Sequence, residues 1–110
     1  MPMADYSKIP SRTIRAFDRL VEDGVPTGGF LRAVCDNDLH ESVCRADEDN
    51  FPAVADISEF TFSVLPYIGQ GQKAWVKLHK DAREGNAVAI ATRDLVIEMY
   101  RQRKADRGIP

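Results

Sequence analysis

The chain has 110 residues, of which 44% are hydrophobic and 29% are charged, and its formal net charge at pH 7 is −2. This length suits one domain with one modest core, and the composition excludes an intrinsically disordered chain. Apolar runs fall far short of the ~18 residues of a membrane span, and residues 1–10 lack the pattern of a secretory signal. The two cysteines are too few for a disulfide framework. We therefore predict a single cytoplasmic domain over residues 1–110, without membrane contact.

Charge is distributed unevenly along the chain. Residues 1–72 carry 6 Lys or Arg against 12 Asp or Glu, a net of −6, whereas residues 73–110 carry 9 against 5, a net of +4. This split indicates either two binding faces or an acidic half that folds onto a basic one. The second interpretation is favoured, because it requires no partner.

Hydrophobic periodicity predicts the first helix from Ser11 onward. Residues 1–9 have little periodicity and are expected to form a flexible arm. The apolar positions that recur at helical spacing on one face are Ile14, Phe17, Leu20 and Val21. Ser11 is the expected N-cap, and Gly24 is the expected left-handed residue after the last turn.

The stretch DGVPTGGF, residues 23–30, follows this helix. Glycine-rich turns can cradle phosphates, but no Lys-Ser/Thr pair completes a Walker loop, and no strand precedes the glycines as in a dinucleotide fingerprint. We interpret the stretch as a corner between two helices, with Thr27 as the cap of the second helix. Gly28 and Gly29 are expected to allow close helix packing. A bulky residue at Gly29 is therefore expected to impair folding.

Three helices are predicted between this corner and residue 65. The second carries Phe30, Leu31, Val34 and Cys35 as its apolar positions. Asp38 and Glu41 have the spacing of a capping box, so a third helix starts there, and its expected inward residues are Leu39, Val43 and Ala46. Pro52 ends it. The apolar positions of a fourth helix are Val54, Ile57, Phe60 or Thr61, and Val64.

Two further helices are predicted in residues 73–110. One covers residues 73–83 and ends at Gly85; the other is capped by Asn86 and runs to about Lys104. The expected apolar stripe of the last helix is Val88, Ala91, Leu95 and Met99. Six helices with short connections predict an all-α fold, a compact bundle of five to six short helices. The expected core residues are Phe17, Phe30, Leu31, Ile57, Trp75 and Leu95.

The residue pattern does not indicate catalysis or metal binding. His40 and Cys44 lie one helical turn apart, but nothing predicts an oxyanion hole, and Cys44 is expected to be packed. Together with Cys35 they are too loosely spaced for a zinc site. A calcium loop begun at Asp36 would need glycine where the chain has Glu41. We predict no catalytic residue, no metal ligand and no cofactor.

Two charged segments are the candidate binding sites. Residues 36–49 hold six acids and one base, a net of −5, and form either a solvated face or a surface for a basic partner protein. The candidate protein-binding residues are Asp36, Asp38, Glu41, Asp47, Glu48 and Asp49. The basic end of the last helix either complements the helix dipole or contacts nucleic-acid phosphates. The candidate nucleic-acid-binding residues are Arg101, Arg103, Lys104 and Arg107.

Residues 9–80 resemble a group of short proteins that are common in bacteriophages and prophages. The shared elements are GVPTGGFLRAV at 24–34, NDL at 37–39, ADEDN at 46–50, LP at 65–66 and AWVKL at 74–78. The resemblance implies an origin in a mobile element and no particular activity, since none is established for the group. Residues 81–110 lie beyond it as a basic, helical C-terminal extension.

These features predict a non-enzymatic phage or mobile-element protein that binds a host protein in the bacterial cytoplasm. The concrete version of this prediction is a protein that inhibits a bacterial defence system, as anti-CRISPR proteins do. The alternative is a small nucleic-acid-binding accessory protein that uses the basic C-terminal helix. An enzyme or small-ligand binder would require a pocket that the sequence does not indicate. If the last helix carries more apolar residues than one core absorbs, its stripe is a homodimer face.

Overall fold

The structure is a computed structural model that describes residues 6–65 and 71–110. Within these ranges the chain forms six α-helices, one 3-10 helix and no strand, which confirms the all-α prediction. The elements are α1 (Ser11–Asp23), α2 (Gly29–Cys35), α3 (Leu39–Arg45), a 3-10 helix (Phe51–Ala53), α4 (Val54–Ser63), α5 (Gln72–Arg83) and α6 (Ala87–Asp106). None of the helices in the described ranges is long and apolar enough to cross a membrane.

The ends of α1 follow from local chemistry. The predicted N-cap was wrong by one residue, because Ser11 opens the helix and Pro10 occupies the N-cap position. The Pro10 carbonyl accepts the amide of Thr13 at 2.9 Å, so no side-chain cap is needed for that donor. Gly24 ends the helix as predicted, with a left-handed φ of 68° that glycine adopts without steric cost.

An aromatic cluster at the centre of the core joins α1, α4 and α6. Phe17 stacks on Phe60 with ring centroids 5.0 Å apart, and the edge of Tyr100 meets Phe60 at 6.4 Å. The predicted core residues that are buried are Phe17, Leu31, Ile57 and Trp75. Phe30 is half-buried. Leu95 is 62% exposed, so its placement in the core was wrong.

The last helix turns a different face inward from the one predicted. α6 buries Ala89, Val96 and Tyr100, and every residue of the predicted stripe is exposed, namely Val88, Ala91, Leu95 and Met99. Both sets recur at helical spacing, so periodicity alone does not select between them. The Tyr100 hydroxyl, which donates to Asp18 Oδ1 at 2.6 Å, holds the observed face against α1.

The short helix α3 adds little to the core, contrary to the prediction. Its buried residue is Ser42, whereas Leu39 and Val43 are 72% and 41% exposed and Ala46 is half-buried. This seven-residue helix packs chiefly against α2. Only a narrow strip of α3 is therefore covered, and the Ser42 hydroxyl within it donates to the Asp38 carbonyl at 2.6 Å.

Part of the predicted N-terminal arm is packed on the core. Ile9 is buried, and the Tyr6 hydroxyl donates to Glu59 Oε1 at 2.8 Å. The Tyr6 ring also meets Phe60 edge-on, with centroids 5.6 Å apart. The rest of the arm, residues 1–5, lies outside the described residues, as do residues 67–70 of the loop predicted before α5.

Candidate functional site

Thr27 in the glycine-rich corner binds α5 and does not cap α2. Its amide donates to Gln72 Oε1 at 2.9 Å, and Gln72 Nε2 donates to Thr27 Oγ1 at 2.6 Å. The N-cap of α2 is Gly28, so the predicted capping role of Thr27 was wrong. The amide and the hydroxyl of Thr27 are therefore both hydrogen-bonded to a side chain 45 positions away in the sequence.

The glycine that permits close approach is Gly24. A Cβ atom at Gly24 would lie 2.5 Å from His79 Cγ, closer than real Cβ contacts come. At Gly28 a Cβ would meet no atom within 4 Å, and at Gly29 its nearest neighbour is the end of the flexible Arg45 side chain, at 2.9 Å. The predicted close packing at Gly28 and Gly29 was therefore wrong, and Gly29 is open enough to accept a larger residue if Arg45 moves.

His79 is a buried structural residue beside this corner. The ring is 3% exposed, and Nε2 lies 2.8 Å from the Val21 carbonyl oxygen. A carbonyl only accepts hydrogen bonds, so Nε2 carries the proton. The ring also meets Trp75 edge-on at 4.8 Å. Burial lowers the pKa of His79 below its ordinary value of 6.5.

The burial of His79 predicts a loss of stability on mild acidification. Because the pKa of His79 is lower in the folded state, the unfolded chain binds the proton more readily. The contribution of neutral His79 to the free energy of unfolding is complete above the unfolded-state pKa of about 6.5. It is lost as the pH falls through that value toward the folded-state pKa. Urea unfolding between about pH 7.5 and pH 5 measures this slope. In His79→Gln, which keeps an N–H donor for Val21, the slope should be shallower; an unchanged slope would contradict the assignment.

The six acidic candidates fall into two groups, each of which includes arginine. Asp36, Asp38 and Glu41 line a shallow groove together with Arg32 and Arg45. Asp38 caps α3 as predicted, because its Oδ1 accepts the Glu41 amide at 3.1 Å. Glu41 forms an ion pair with Arg45 at 2.8 Å. Asp36 and Asp38 have no ion pair in the described ranges, and of these two only Asp38 is engaged as a helix cap.

The second group lies in the turn between α3 and the 3-10 helix. Arg12 of α1 pairs with Asp47 at 2.7 Å and with Asp49 at 2.8 Å. Asp47 Oδ1 also accepts the amides of Asp49 and Asn50, and the Asn50 amide in particular lowers the pKa of Asp47. Glu48 makes no ion pair or hydrogen bond within residues 6–65 and 71–110, so its carboxylate remains available.

Two of the four basic candidates on α6 pair with acids of α1. Arg101 Nε donates to Glu22 Oε1 at 2.7 Å, and Lys104 Nζ lies 2.7 Å from Asp18 Oδ1. Burial first, and then the bond to Asp18, raise the pKa of Tyr100. These two ion pairs join α6 to α1, which carries three arginines and three acids and is neutral overall, so the packing of an acidic half on a basic half stays a prediction.

The other two basic candidates bind backbone carbonyls. Arg103 Nη1 donates to the Ser63 carbonyl at 3.3 Å, and Arg107 Nη1 donates to the Arg103 carbonyl at 3.1 Å. The first contact joins α6 to the end of α4, and the second satisfies a carbonyl in the last turn of α6. All four predicted nucleic-acid-binding side chains thus have partners within the chain.

The solvent-exposed side of α3, called its outer face below, carries two apolar residues, a histidine and a cysteine. Leu39 and Val43 are exposed at i, i+4 spacing, which places them on one face. Cys44 Sγ lies 3.7 Å from His40 Nε2, and both residues are exposed. The predicted packing of Cys44 was therefore wrong. Cys35 is instead buried, and burial raises the pKa of its thiol to about 12, so this cysteine stays protonated.

The basic face of α5 is not among the sites predicted from the sequence. Its exposed cations are Lys73, Lys77, Lys80 and Arg83. They recur at i, i+4, i+7 and i+10, a spacing that was visible in the sequence but was outweighed by the denser cluster at residues 101–107. The face becomes distinctive only because the cations of α6 are paired and those of α5 largely are not.

A groove of about 660 Å³ lies between α1 and the last residues of the chain. Its ionisable residues include Arg15, Asp18 and Arg107, but Asp18 is already bound by Tyr100 and Lys104. No group of three or more His, Cys, Asp or Glu residues within the described ranges could hold a metal ion. Comparisons of the chain with protein-family models, curated proteins and solved structures find no match.

Proposed function

We propose that this protein is a non-enzymatic binding protein that docks a basic partner protein on the outer face of α3. The observation that carries the proposal is the exposure of Leu39 (72%) and Val43 (41%) on a helix whose buried residue is Ser42. These two apolar residues lie within the acidic segment 36–49. Protein interfaces combine an apolar centre with a polar rim, and this segment has both parts.

The charges of the acidic segment indicate which side chains of a partner would bind there. Arg12 and Arg45 neutralise part of the negative charge through their ion pairs with Asp47, Asp49 and Glu41. The carboxylates of Asp36 and Glu48 have no ion pair in the described ranges. They are free to meet lysine or arginine side chains of a partner around an apolar contact, which would steer association and fix its register.

The finer form of the proposal is a phage or mobile-element protein that binds a protein of its bacterial host and inhibits a defence system. It is supported by the resemblance of residues 24–34 and 46–50 to phage and prophage proteins. In this form the protein acts in the bacterial cytoplasm, and its partner is a host protein with a basic surface.

Polar replacement of the apolar pair should abolish binding without unfolding the chain. We expect Leu39→Ser/Val43→Ser to weaken the complex at least tenfold, because anchors at an interface centre are worth more than about 1 kcal/mol each. The measurement is capture of host-lysate proteins on the immobilised chain, followed by titration with the purified partner. Glu48→Lys should weaken the same complex and reduce its salt dependence.

Two controls separate the α3 surface from general effects. Leu95→Ser removes an equally exposed leucine from α6 and should leave partner binding unchanged. Glu48→Lys is preferred to reversal of Asp47 or Asp49, since those two residues hold Arg12 and the turn. Recovery of no specific partner, or equal affinity of the double serine variant, would refute the proposal.

Self-association through α6 stays a prediction, and the structure supports it with an exposed apolar stripe. Val88 and Leu95 are 76% and 62% exposed. Phe62 of α4 is a further exposed apolar residue, at 86%. We expect sedimentation velocity to show a dimer that grows with concentration and is lost in Leu95→Lys. The matched variant Leu39→Lys should still dimerise, and a wild-type monomer at every concentration would exclude this interface.

A further inference from the structure

We propose that the exposed face of α5 binds the phosphate backbone of nucleic acid. This face lies on a different helix from the proposed protein-binding surface and from the basic end of α6. Its cations are Lys73, Lys77, Lys80 and Arg83, all exposed. Since residues three and four apart on a helix are neighbours, these positions form one continuous row.

The cations of α5 are largely free, in contrast to those of α6. Lys77 lies 3.5 Å from Asp81, with its own side chain 76% exposed. The side chains of Lys73, Lys80 and Arg83 have no ion pair or hydrogen-bond partner within residues 6–65 and 71–110. An unpaired surface cation can replace counter-ions condensed on a polyphosphate, whereas one held by a carboxylate must first lose that partner.

The row has the length of a short stretch of nucleic-acid backbone. From Lys73 to Arg83 the helix rises about 15 Å, at about 1.5 Å per residue, and one DNA strand carries a charge about every 3.4 Å along the duplex axis. Arg32 of α2 lies beside the Lys73 end of the row, because it lines a groove together with Lys73 and Val76. The acids that border the row are Asp36, in that groove, and Asp81 and Glu84 on the α5 side. At its far end, Arg83 lines a second groove that also contains acids of α1 and α6, namely Glu22, Asp23, Asp94 and Glu98.

The composition of this face favours a polyphosphate over an acidic protein. None of the large hydrophobic residues that are exposed in the described ranges lies on α5, and Val76 in the row is half-buried. A protein interface needs an apolar centre, which this face lacks. Phosphate contacts require only cations and hydrogen-bond donors. The absence of an exposed aromatic ring on α5 removes base stacking as well, so binding is independent of sequence.

Fluorescence anisotropy with a 20-base-pair DNA duplex tests this face. Release of counter-ions by four phosphate contacts should weaken binding roughly 150-fold between about 50 and 200 mM salt. We expect Lys73→Gln/Lys80→Gln/Arg83→Gln to lose at least tenfold in affinity at the lower salt concentration. With one contact left, its affinity should fall only about fourfold over the same salt range.

The matched control is Arg101→Gln/Arg103→Gln/Arg107→Gln. Both triple variants change the net charge by −3, from −2 to −5, but the control alters the α6 cluster and should keep most of the affinity. Three results would overturn the proposal: no salt-dependent binding of the wild-type chain, loss of binding in the α6 variant alone, or equal competition by polyglutamate. Binding of the partner protein by the α5 variant is measured in parallel. Because the proposed protein-binding surface is on α3, this variant should still bind the partner, so each of the two proposals can fail without the other.

Discussion

Replacement of Trp75 by alanine is expected to lower the free energy of unfolding by about 3–5 kcal/mol. The side chain is fully buried, so truncation removes a large apolar area and leaves a cavity. Its indole N–H donates to the Leu20 carbonyl at 2.8 Å, and this carbonyl keeps only the Gly24 amide, at 3.0 Å, as a donor in the variant. Domains of this size are stable by about 5–15 kcal/mol, so the variant is expected to lose a large share of its stability.

Urea denaturation followed by far-UV circular dichroism measures this change, because Trp75 is the only tryptophan and fluorescence would be lost with it. The control is Leu95→Ala, which removes an exposed leucine and should cost less than about 1 kcal/mol. The pair of variants also tests the orientation of α6. If Leu95→Ala were as damaging as Trp75→Ala, the face of α6 that meets the core would be wrong.

The local features of the fold were predictable from sequence because their causes are local. Gly24 takes its left-handed geometry at the end of α1, and the side chains of Asp38 and Asn86 accept amides at the starts of α3 and α6. Each of these residues acts on a backbone group within a few positions of itself. Helical spacing likewise identified Phe17 and Ile57 as core residues.

The orientation of α6 and the exposure of α3 depend on which elements are adjacent. α6 has apolar residues around most of its circumference, so Leu95 and Val96 were equally good candidates for the core by spacing. Val96 is buried because Tyr100, on the same face, bonds Asp18 in α1. α3 was expected to turn Leu39 inward, but the helix packs chiefly against α2 and has little core to cover.

Prediction of the candidate surfaces from the sequence was limited in the same way, by contacts between residues far apart in the chain. Charge counts located the acidic segment and the basic C-terminal helix, but the acids that meet this helix are Asp18 and Glu22 of α1, outside that segment. Which cations remain free depends on contacts such as Arg101–Glu22 and Lys104–Asp18, between residues 79 and 86 positions apart. No local pattern encodes those pairs. The four predicted phosphate-binding residues form the densest basic cluster in the sequence, but all four have partners within the chain. The row on α5 is less dense, and its cations are the ones that remain largely unpaired.

Gly24→Ala is expected to destabilise the chain by about 2–5 kcal/mol. Left-handed geometry costs an L-residue about 1–2 kcal/mol, and φ at Gly24 is 68°. The new Cβ would also lie 2.5 Å from His79 Cγ. The ring must then shift away from the Val21 carbonyl and Trp75, at a cost typical of overpacking, about 1–3 kcal/mol. Urea denaturation measures the sum, and Gly28→Ala, at an open position, should change stability by less than about 0.5 kcal/mol.

A double-mutant cycle separates the two causes at Gly24. His79→Ser removes the ring that the new Cβ would meet, so Gly24→Ala should cost less in that background than in the wild type. The remaining cost then reports the left-handed backbone alone. Equal costs in both backgrounds would show that steric contact with His79 is unimportant. Full stability of Gly24→Ala, or an equal loss in Gly28→Ala, would contradict the assignment of Gly24 as the glycine of this corner that permits the close approach of His79.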